Sequence, residues 1–244
     1  MRKYFVSLPI LLFFFSYPVY SQNDSTLFLR WQKTDEMIRD VKIDKDEAID
    51  SIRNFVKAGV VFCKSAGIPF TNREDWVFPE AGWTKVEYRT NGKDYKDSTF
   101  DYFQGAEFHG HPAHDIFILD NDSDGIEDVT GKPVDAVAMV SGVIISTYTS
   151  WQPDNIMRSG NYVKLFDPGS QSIFYYSHLD SVFVHAGQIV NAGEKLANVG
   201  RTGRKAFRGM THLHIAYYKI EDGYPRPVDI IEDLYSAEKK SINK

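Results

Sequence analysis

Three short segments contain the residues best suited to chemistry: His111-Pro-Ala-His-Asp115, His178, and His212-Leu-His214. The outer two segments lie about a hundred residues apart, so only a folded domain brings them together. Zinc favours imidazole nitrogen and carboxylate oxygen, and a hydrolytic zinc site has three protein ligands and an open position for water. Two His and one Asp would meet that need, and two further His would remain for acid/base work.

The first segment is expected to be extended. Pro112 disfavours the α region for the residue before it, which pushes His111 towards extended geometry. Successive side chains of an extended chain alternate between faces. His111 and Asp115 would then share a face and reach one ion, while His114 would point to the other side.

The same alternation applies to the last segment. In a strand, His212 and His214 share one face, and Leu213 points to the other. One of the two His can ligate a metal while its neighbour faces the same cavity. Taken alone, this pattern is also typical of two half-exposed strand histidines, so its weight comes from the combination with the other segments.

In combination, the motifs resemble the lysostaphin-type (LytM-like) zinc metallopeptidases, which cut peptide bonds in bacterial cell walls. The motifs of that family are His-x-x-x-Asp, a Tyr-x-His-Leu-type strand end and a terminal His-x-His. Here they stand as His111…Asp115, Tyr176-Ser-His178-Leu and His212-Leu-His214. The resemblance extends over about residues 105–230, and as a combination of ordered motifs it is specific.

The resemblance implies a site as well as a fold. It implies one zinc ion per chain, held by His111, Asp115 and His214, and a catalytic pair formed by His178 and His212. It also implies hydrolysis by attack of a zinc-bound water. Which His of the pair is the base is left open by the sequence.

Two departures from the family pattern stand beside the first motif. Ala113 replaces the usual Gly, a small change on an extended backbone. An acidic insert follows at residues 120–128, and its alternate acids, then Gly125, resemble the start of a calcium loop. The candidate calcium ligands are Asp120, Asp122, Asp124 and Asp128. Position twelve is Gly131 instead of the usual Glu, so calcium binding and a solvated acidic turn are both open readings.

The N-terminus predicts export. Met-Arg-Lys precedes an apolar run and a small-residue cleavage pattern, which is typical of a secretory signal peptide at residues 1–21. An uncleaved membrane anchor is the alternative, but the run is short and Pro9 and Pro18 interrupt it. We therefore expect a periplasmic or secreted protein without a stable membrane anchor.

Net charge and cysteine content limit the classes of protein to which the chain could belong. The formal net charge of the 244 residues is −5, and loss of Arg2 and Lys3 with the signal peptide makes it −7. An acidic chain is a poor candidate for nucleic-acid binding, which depends on Lys and Arg. The single cysteine, Cys63, excludes an internal disulfide, and its apolar helical surroundings predict a buried thiol.

The chain pattern predicts a mainly β protein with a helical extension. Apolar residues at helical spacing predict a helix from about Asp44 to Lys64, whereas polar residues 22–34 predict a loose segment. From Trp76 onward, short strand-like runs separated by turn residues favour a compact antiparallel β domain. We expect an N-terminal extension at 22–75, the peptidase domain at 76–235 and a polar tail at 236–244.

The resulting function is an exported zinc-dependent endopeptidase acting on peptidoglycan cross-links or stem peptides. One alternative is a catalytically silent cell-wall-binding regulator of amidases, and another is a secreted peptidase acting on proteins. The complete set of ligands and both extra His favour catalysis. A basic loop at Arg201, Lys205 and Arg208 would attract acidic stem-peptide groups or form a solvated charge cluster.

Overall fold

The computed structural model describes residues 22–107 and 109–242, so the predicted signal peptide lies outside the described residues. The helices within them are α1 (Gln22–Arg39), α2 (Lys45–Ser65) and α3 (Ile231–Ile242). The strands are β1 (Glu80–Ala81), β2 (Val86–Tyr88), β3 (His114–Ile118), β4 (Asp135–Val137), β5 (Gly142–Tyr148), β6 (Asn161–Asp167), β7 (Ser172–Leu179), β8 (Ile189–Val190), β9 (Lys195–Asn198), β10 (His212–Glu221) and β11 (Tyr224–Pro227). None of the described helices is long and apolar enough to cross a membrane.

The strands form two antiparallel sheets. The main sheet has the order β2-β3-β10-β7-β6-β5-β8, with β11 paired to β10, and the small sheet has the order β1-β4-β9. Every strand pair in both sheets is antiparallel. The predicted fold class, mainly antiparallel β with an N-terminal helical extension, is confirmed.

The two faces of the main sheet are covered by different parts of the chain. Leu213 and Ile215 of β10 lie in a core shared with the small sheet and with α3. Ala216 and Tyr218 of β10 lie in a second core, which contains the apolar residues of α1 and α2. Because side chains alternate along β10, His212 and His214 share the face that carries the helical extension.

The helical extension is more ordered than the polar composition of its first residues suggests. The expectation of a loose segment at 22–34 is wrong, because α1 spans it and buries Phe28 and Trp31. Farther along α1, Asp35 forms an ion pair with Lys164 of β6, and both side chains are almost completely buried. The extension therefore shares a core and a buried charge pair with the sheet.

The second helix agrees with its prediction. The Asp44 carboxylate accepts a hydrogen bond from the backbone N–H of Asp46 at 2.8 Å, which satisfies a donor at the helix N-terminus. Ile52 and Phe55 pack into the second core, and Cys63 is fully buried, as predicted. Burial also raises the pKa of the Cys63 thiol to about 12, which makes the thiol inert at neutral pH.

The expected polar tail at residues 236–244 is wrong for the part that the structure describes. Residues 236–242 belong to α3, whose Leu234 and Ala237 are buried against the first core. The polar composition reflects the solvent-facing side of an amphipathic helix. The last helix is therefore an integral part of the β domain.

Candidate metal centre

Strand pairing assembles the centre from segments that are distant in sequence. His214 of β10 lies opposite Asp115 of β3 on one side and opposite Ser177 of β7 on the other. Directly opposed residues of antiparallel strands present their side chains on the same face. His178 follows Ser177 at the end of β7, so the three sequence motifs meet at one edge of the sheet face.

The three predicted ligands converge on one point. The His111 Nε2 lies 3.1 Å from Asp115 Oδ1, and the His214 Nδ1 lies 2.8 Å from the same oxygen. One candidate ligand atom from each residue lies within 4.8 Å of the others. Two imidazoles and a carboxylate are a donor set that zinc prefers, so these residues fit a zinc ion.

The electrostatics of the cluster follow from burial and close contact. Burial acts to raise the pKa of Asp115, but hydrogen bonds from His111 and His214 outweigh it and hold the pKa far below its usual value. Burial also acts to lower the pKa of His111, yet its contacts with Asp115 and Asp94 raise it. For His214, burial dominates, and its pKa is lowered. The Asp115 carboxylate is therefore ionised and ready to ligate a cation.

Asp94 holds the first motif from behind. Its carbonyl oxygen accepts a hydrogen bond from His111 Nδ1 at 3.0 Å, which leaves Nε2 facing the ligand cluster. Its carboxylate lies 3.0 Å from His114 Nδ1 and accepts the backbone N–H of Asp115 at 2.9 Å. The other nitrogen of His114 contacts Asp229 at 2.9 Å, on the opposite side from the cluster. Asp94 is an orienting partner that motif reading missed.

Ala113, which stands where the family pattern has Gly, fits into the structure. The side chain is buried in the second core, on the same face as the helical extension. A methyl group therefore finds an apolar environment where the family pattern has Gly. The extended path from His111 to Asp115 is retained.

The two remaining His face the cluster in a matched arrangement. His178 Nδ1 donates to the Thr202 carbonyl at 2.8 Å, and His212 Nδ1 donates to the Met210 carbonyl at 2.7 Å. Because carbonyl oxygens only accept, Nδ1 carries a proton in both rings, and in a neutral ring Nε2 then has a lone pair. The ring centroids lie 4.8 Å apart. Burial, followed by the neighbouring imidazoles, lowers the pKa of His178 well below its usual value, which favours the neutral ring.

A cleft of about 450 Å³ opens over the cluster. The residues that line it include Tyr175, Met210 and the cations Arg89, Arg158 and Lys205. Of the predicted basic loop, only Lys205 lines this cleft among the described residues. Arg201 instead donates hydrogen bonds to the carbonyls of Ser123 and Phe207.

The acidic insert is a separate cluster. Carboxylate oxygens of Asp120, Asp122 and Asp124 lie within 4.8 Å of one another, whereas Asp128 is not in that group. The Asp128 carboxylate instead accepts the backbone N–H of Asn121 at 3.1 Å. The structure brings three of the four candidate calcium ligands together, and calcium binding stays a prediction.

Comparison with known proteins identifies one family model that matches part of the chain. Residues 124–229 match the profile of peptidase family M23, a region that begins after His111 and Asp115 and includes His178, His212 and His214. The antiparallel main sheet carries the His/Asp cluster on one face. Residues 124–229, somewhat less than half of the chain, are therefore similar to peptidase family M23.

Several solved structures are similar to the chain. The catalytic domain of lysostaphin from Staphylococcus simulans is 21% identical over 62% of this chain and 92% of that chain, with a TM-score of 0.40. A putative glycyl-glycine endopeptidase lytM from Ruminococcus gnavus is 20% identical over 91% of this chain and 93% of that chain, with a TM-score of 0.49. A zinc-containing peptidase from Vibrio cholerae is 22% identical over 68% of this chain and 40% of that chain, with a TM-score of 0.37. No curated protein matches the chain.

Proposed function

We propose that the chain is an exported, zinc-dependent endopeptidase that hydrolyses peptide bonds of bacterial peptidoglycan. The observation that carries the proposal is the convergence of His111, Asp115 and His214, with two further imidazoles facing the same cleft. The similarity of residues 124–229 to peptidase family M23 supports the reaction class, and the lysostaphin-type motifs support a cell-wall substrate. The predicted signal peptide supports export to the periplasm or beyond the cell.

The metal would be held by His111 Nε2, Asp115 Oδ1 and His214 Nδ1. When bound, zinc supplies a Lewis acid that polarises a carbonyl and makes water a nucleophile near neutral pH. The protein keeps Asp115 ionised and orients His111 through Asp94. The ligand set therefore needs little rearrangement to bind a cation.

His178 and His212 would manage the proton and the developing negative charge. With Nδ1 fixed on a backbone carbonyl, each ring presents Nε2 to the cleft, where it can accept a proton from attacking water. Once protonated, the same nitrogen can donate to the oxygen of the tetrahedral species or to the leaving amine. The two similar environments leave the division of these roles to experiment.

We also propose the division into an extension at 22–75 and a peptidase domain from 76 to the end of α3. Within the described residues, none of those lining the metal cleft belongs to the extension. Arg39 and Ile38 of α1 line a smaller neighbouring cavity of about 70 Å³. The extension therefore lies beside the cleft, an arrangement that favours an active enzyme over a latent one.

The decisive experiment uses residues 22–244, zinc quantification and purified peptidoglycan sacculi. New peptide termini in released muropeptides, identified by mass spectrometry and absent with His214→Ala and His212→Ala, would establish the endopeptidase and name the bond. Zinc without any wall product, but with cleavage of a protein panel, would favour the secreted protein peptidase. No zinc and no cleavage, with retained binding to sacculi, would favour the amidase regulator.

A further inference from the structure

Arg89 directly contacts the metal cluster from outside the region matched by the family. It follows β2, and its Nη1 donates to Asp115 Oδ2 at 2.9 Å. The Arg89 side chain is 52% exposed, whereas that of Asp115 is 5% exposed. Within the described residues, this is the one side-chain hydrogen bond that Arg89 makes. A guanidinium has five N–H donors and Arg89 lines the cleft, so donors remain for a ligand bound there.

The backbone after Arg89 is built for a sharp turn. Thr90, Asn91 and Gly92 have φ values of 49°, 52° and 76°, three consecutive residues in the left-handed region. Such a conformation at a non-glycine residue costs about 1–3 kcal/mol and persists only where its surroundings fix it. Tyr235 of α3 donates to the Asn91 carbonyl at 3.2 Å, which anchors the turn. The chain thus accepts local strain at the point where Arg89 is placed beside Asp115.

The charges around the cleft are unbalanced. The cations that line it are Arg89, Arg158 and Lys205, and in the described part of the chain Asp115 is the one acidic residue that lines it. The negative charge of Asp115 is already shared by two imidazoles and would be shared by a metal ion. A cleft with this surplus attracts anionic ligands, because its low-dielectric walls focus the field.

We propose that Arg89 is a specificity residue that binds a substrate carboxylate next to the scissile bond. This inference rests on the proposed function and names its substrate class: peptides with a free carboxylate beside the cut, preferred over the corresponding carboxamides. Because the guanidinium already touches a metal ligand, the carboxylate that it binds lies within about one residue of the carbonyl at the metal. The planar fork of Arg suits a bidentate carboxylate, which a lysine would not reproduce.

The competing role for Arg89 is purely to position Asp115. The two roles predict different kinetics. Loss of a positioning contact slows cleavage of every substrate by the same factor and weakens zinc binding. Loss of a specificity contact slows cleavage of the acidic substrate more than cleavage of the amidated substrate, and so removes the discrimination between them.

The test uses native sacculi and sacculi whose carboxylates have been converted to carboxamides with carbodiimide and ammonia. Zinc-loaded wild type should cut native sacculi at least about tenfold faster, the size expected of one charge-assisted bidentate contact. Arg89→Gln should bring this ratio to about one, with wild-type zinc content and thermal stability. Arg204→Gln is the matched control, because it removes the same charge from an exposed residue that does not line the cleft, and should keep the wild-type ratio.

Equal slowing of Arg89→Gln on both substrates would overturn the inference in favour of the positioning role, as would a wild-type ratio near one. If wild type cuts neither substrate, the proposed function fails separately. Co-sedimentation then decides the inference, since wild type should still bind native sacculi more tightly than amidated sacculi. Equal binding of the two preparations by wild type, or a preference retained by Arg89→Gln, would contradict it.

Discussion

The metal centre and the acidic insert are both groups of candidate metal ligands, but their carboxylates have different hydrogen-bond partners. In the centre, Asp115 accepts from the side chains of His111, His214 and Arg89, groups that meet a common cleft. In the insert, Asp120 accepts the backbone N–H of Gly125 at 2.9 Å and of Asp124 at 3.1 Å. The carboxylate of the centre is held by side chains from distant segments, whereas the carboxylates of the insert accept mainly from backbone N–H groups of their own loop.

This difference indicates that the metal centre is arranged to bind a ligand, whereas the acidic insert is a turn stabilised by its own carboxylates. In the centre, His111 is oriented from behind by a backbone carbonyl, so its other nitrogen is committed to the cleft. In the insert, Asp124 accepts the backbone N–H of Ile126 at 2.7 Å, the local bonding that makes Asp favourable in turns. Proximity of acids alone is therefore a weaker indication of a metal than the direction in which their partners hold them.

The largest expected effect comes from removing a ligand. His214→Ala should abolish stoichiometric zinc binding and lower the rate of hydrolysis by at least about a hundredfold, since it leaves two ligands where three are needed. Asp122→Ala is the matched control from the acidic insert, and should retain zinc and activity. Zinc content by atomic absorption and product release from sacculi measure both. Retention of stoichiometric zinc in His214→Ala would contradict the assignment of His214 as a metal ligand.

Removal of the metal itself should lower thermal stability. A ligand that binds only the folded state stabilises it by about 4 kcal/mol at a thousandfold excess over its Kd. A zinc-selective chelator should therefore lower Tm by several degrees, and added zinc should restore it. A fall in Tm with a calcium-selective chelator would support calcium binding at the insert. No shift with the zinc-selective chelator would contradict the zinc assignment.

A substitution of Asp94, which contacts the residues of the first motif, should have an intermediate effect on zinc affinity. Asp94→Asn keeps the carbonyl that orients His111 but alters the carboxylate that accepts the Asp115 N–H and contacts His114. Loss of such an outer partner typically weakens metal affinity by about 10- to 100-fold, and we expect the lower end here. Competition with a chromophoric zinc chelator measures the affinity. The exposed Asp97→Asn is the control, and equal affinities for the two variants would show that Asp94 has no orienting role.

The parts of the molecule that follow strict periodicity were predictable from sequence, and the parts that depend on irregular backbone were not. Alternation along an extended chain placed His111 and Asp115 on one face, as the structure has them. Asp94 precedes them in an irregular segment and acts partly through its backbone, for which side-chain patterns give no signal. The same applies to Arg89, whose position depends on a left-handed turn and on contact with α3.

Helix α1 shows a second reason for a missed element. Its buried face includes Phe28, Trp31 and Ile38 at helical spacing, but Asp35 occupies the same face. A charged residue at a core-facing position interrupts the apolar pattern from which amphipathic helices are inferred. Its partner, Lys164, lies far away on β6, so the ion pair that makes this burial tolerable appears only in the folded chain.

The smallest expected effect concerns the acidic insert and depends on pH. Burial acts to raise the pKa of Asp120, but the hydroxyl of Thr211 and backbone N–H groups of its loop outweigh it and lower the pKa below 3.8. A carboxyl with a lowered pKa binds fewer protons in the folded state than in the unfolded state. Its contribution to stability is therefore complete above pH 3.8 and is lost as the pH falls through the folded pKa.

Asp120→Asn should accordingly destabilise the protein by about 1–2 kcal/mol at neutral pH, because charge-assisted hydrogen bonds become neutral ones. The difference from wild type should shrink as the pH falls below 3.8, where the wild-type carboxyl also becomes neutral. Urea unfolding at several pH values measures this, with zinc content followed in parallel at neutral pH. Thr211, which donates to Asp120, immediately precedes His212, so the loop also borders β10. If zinc content stays at the wild-type level while stability falls, the insert has a structural role only. Loss of zinc at neutral pH would instead show that the insert also supports metal binding at the centre.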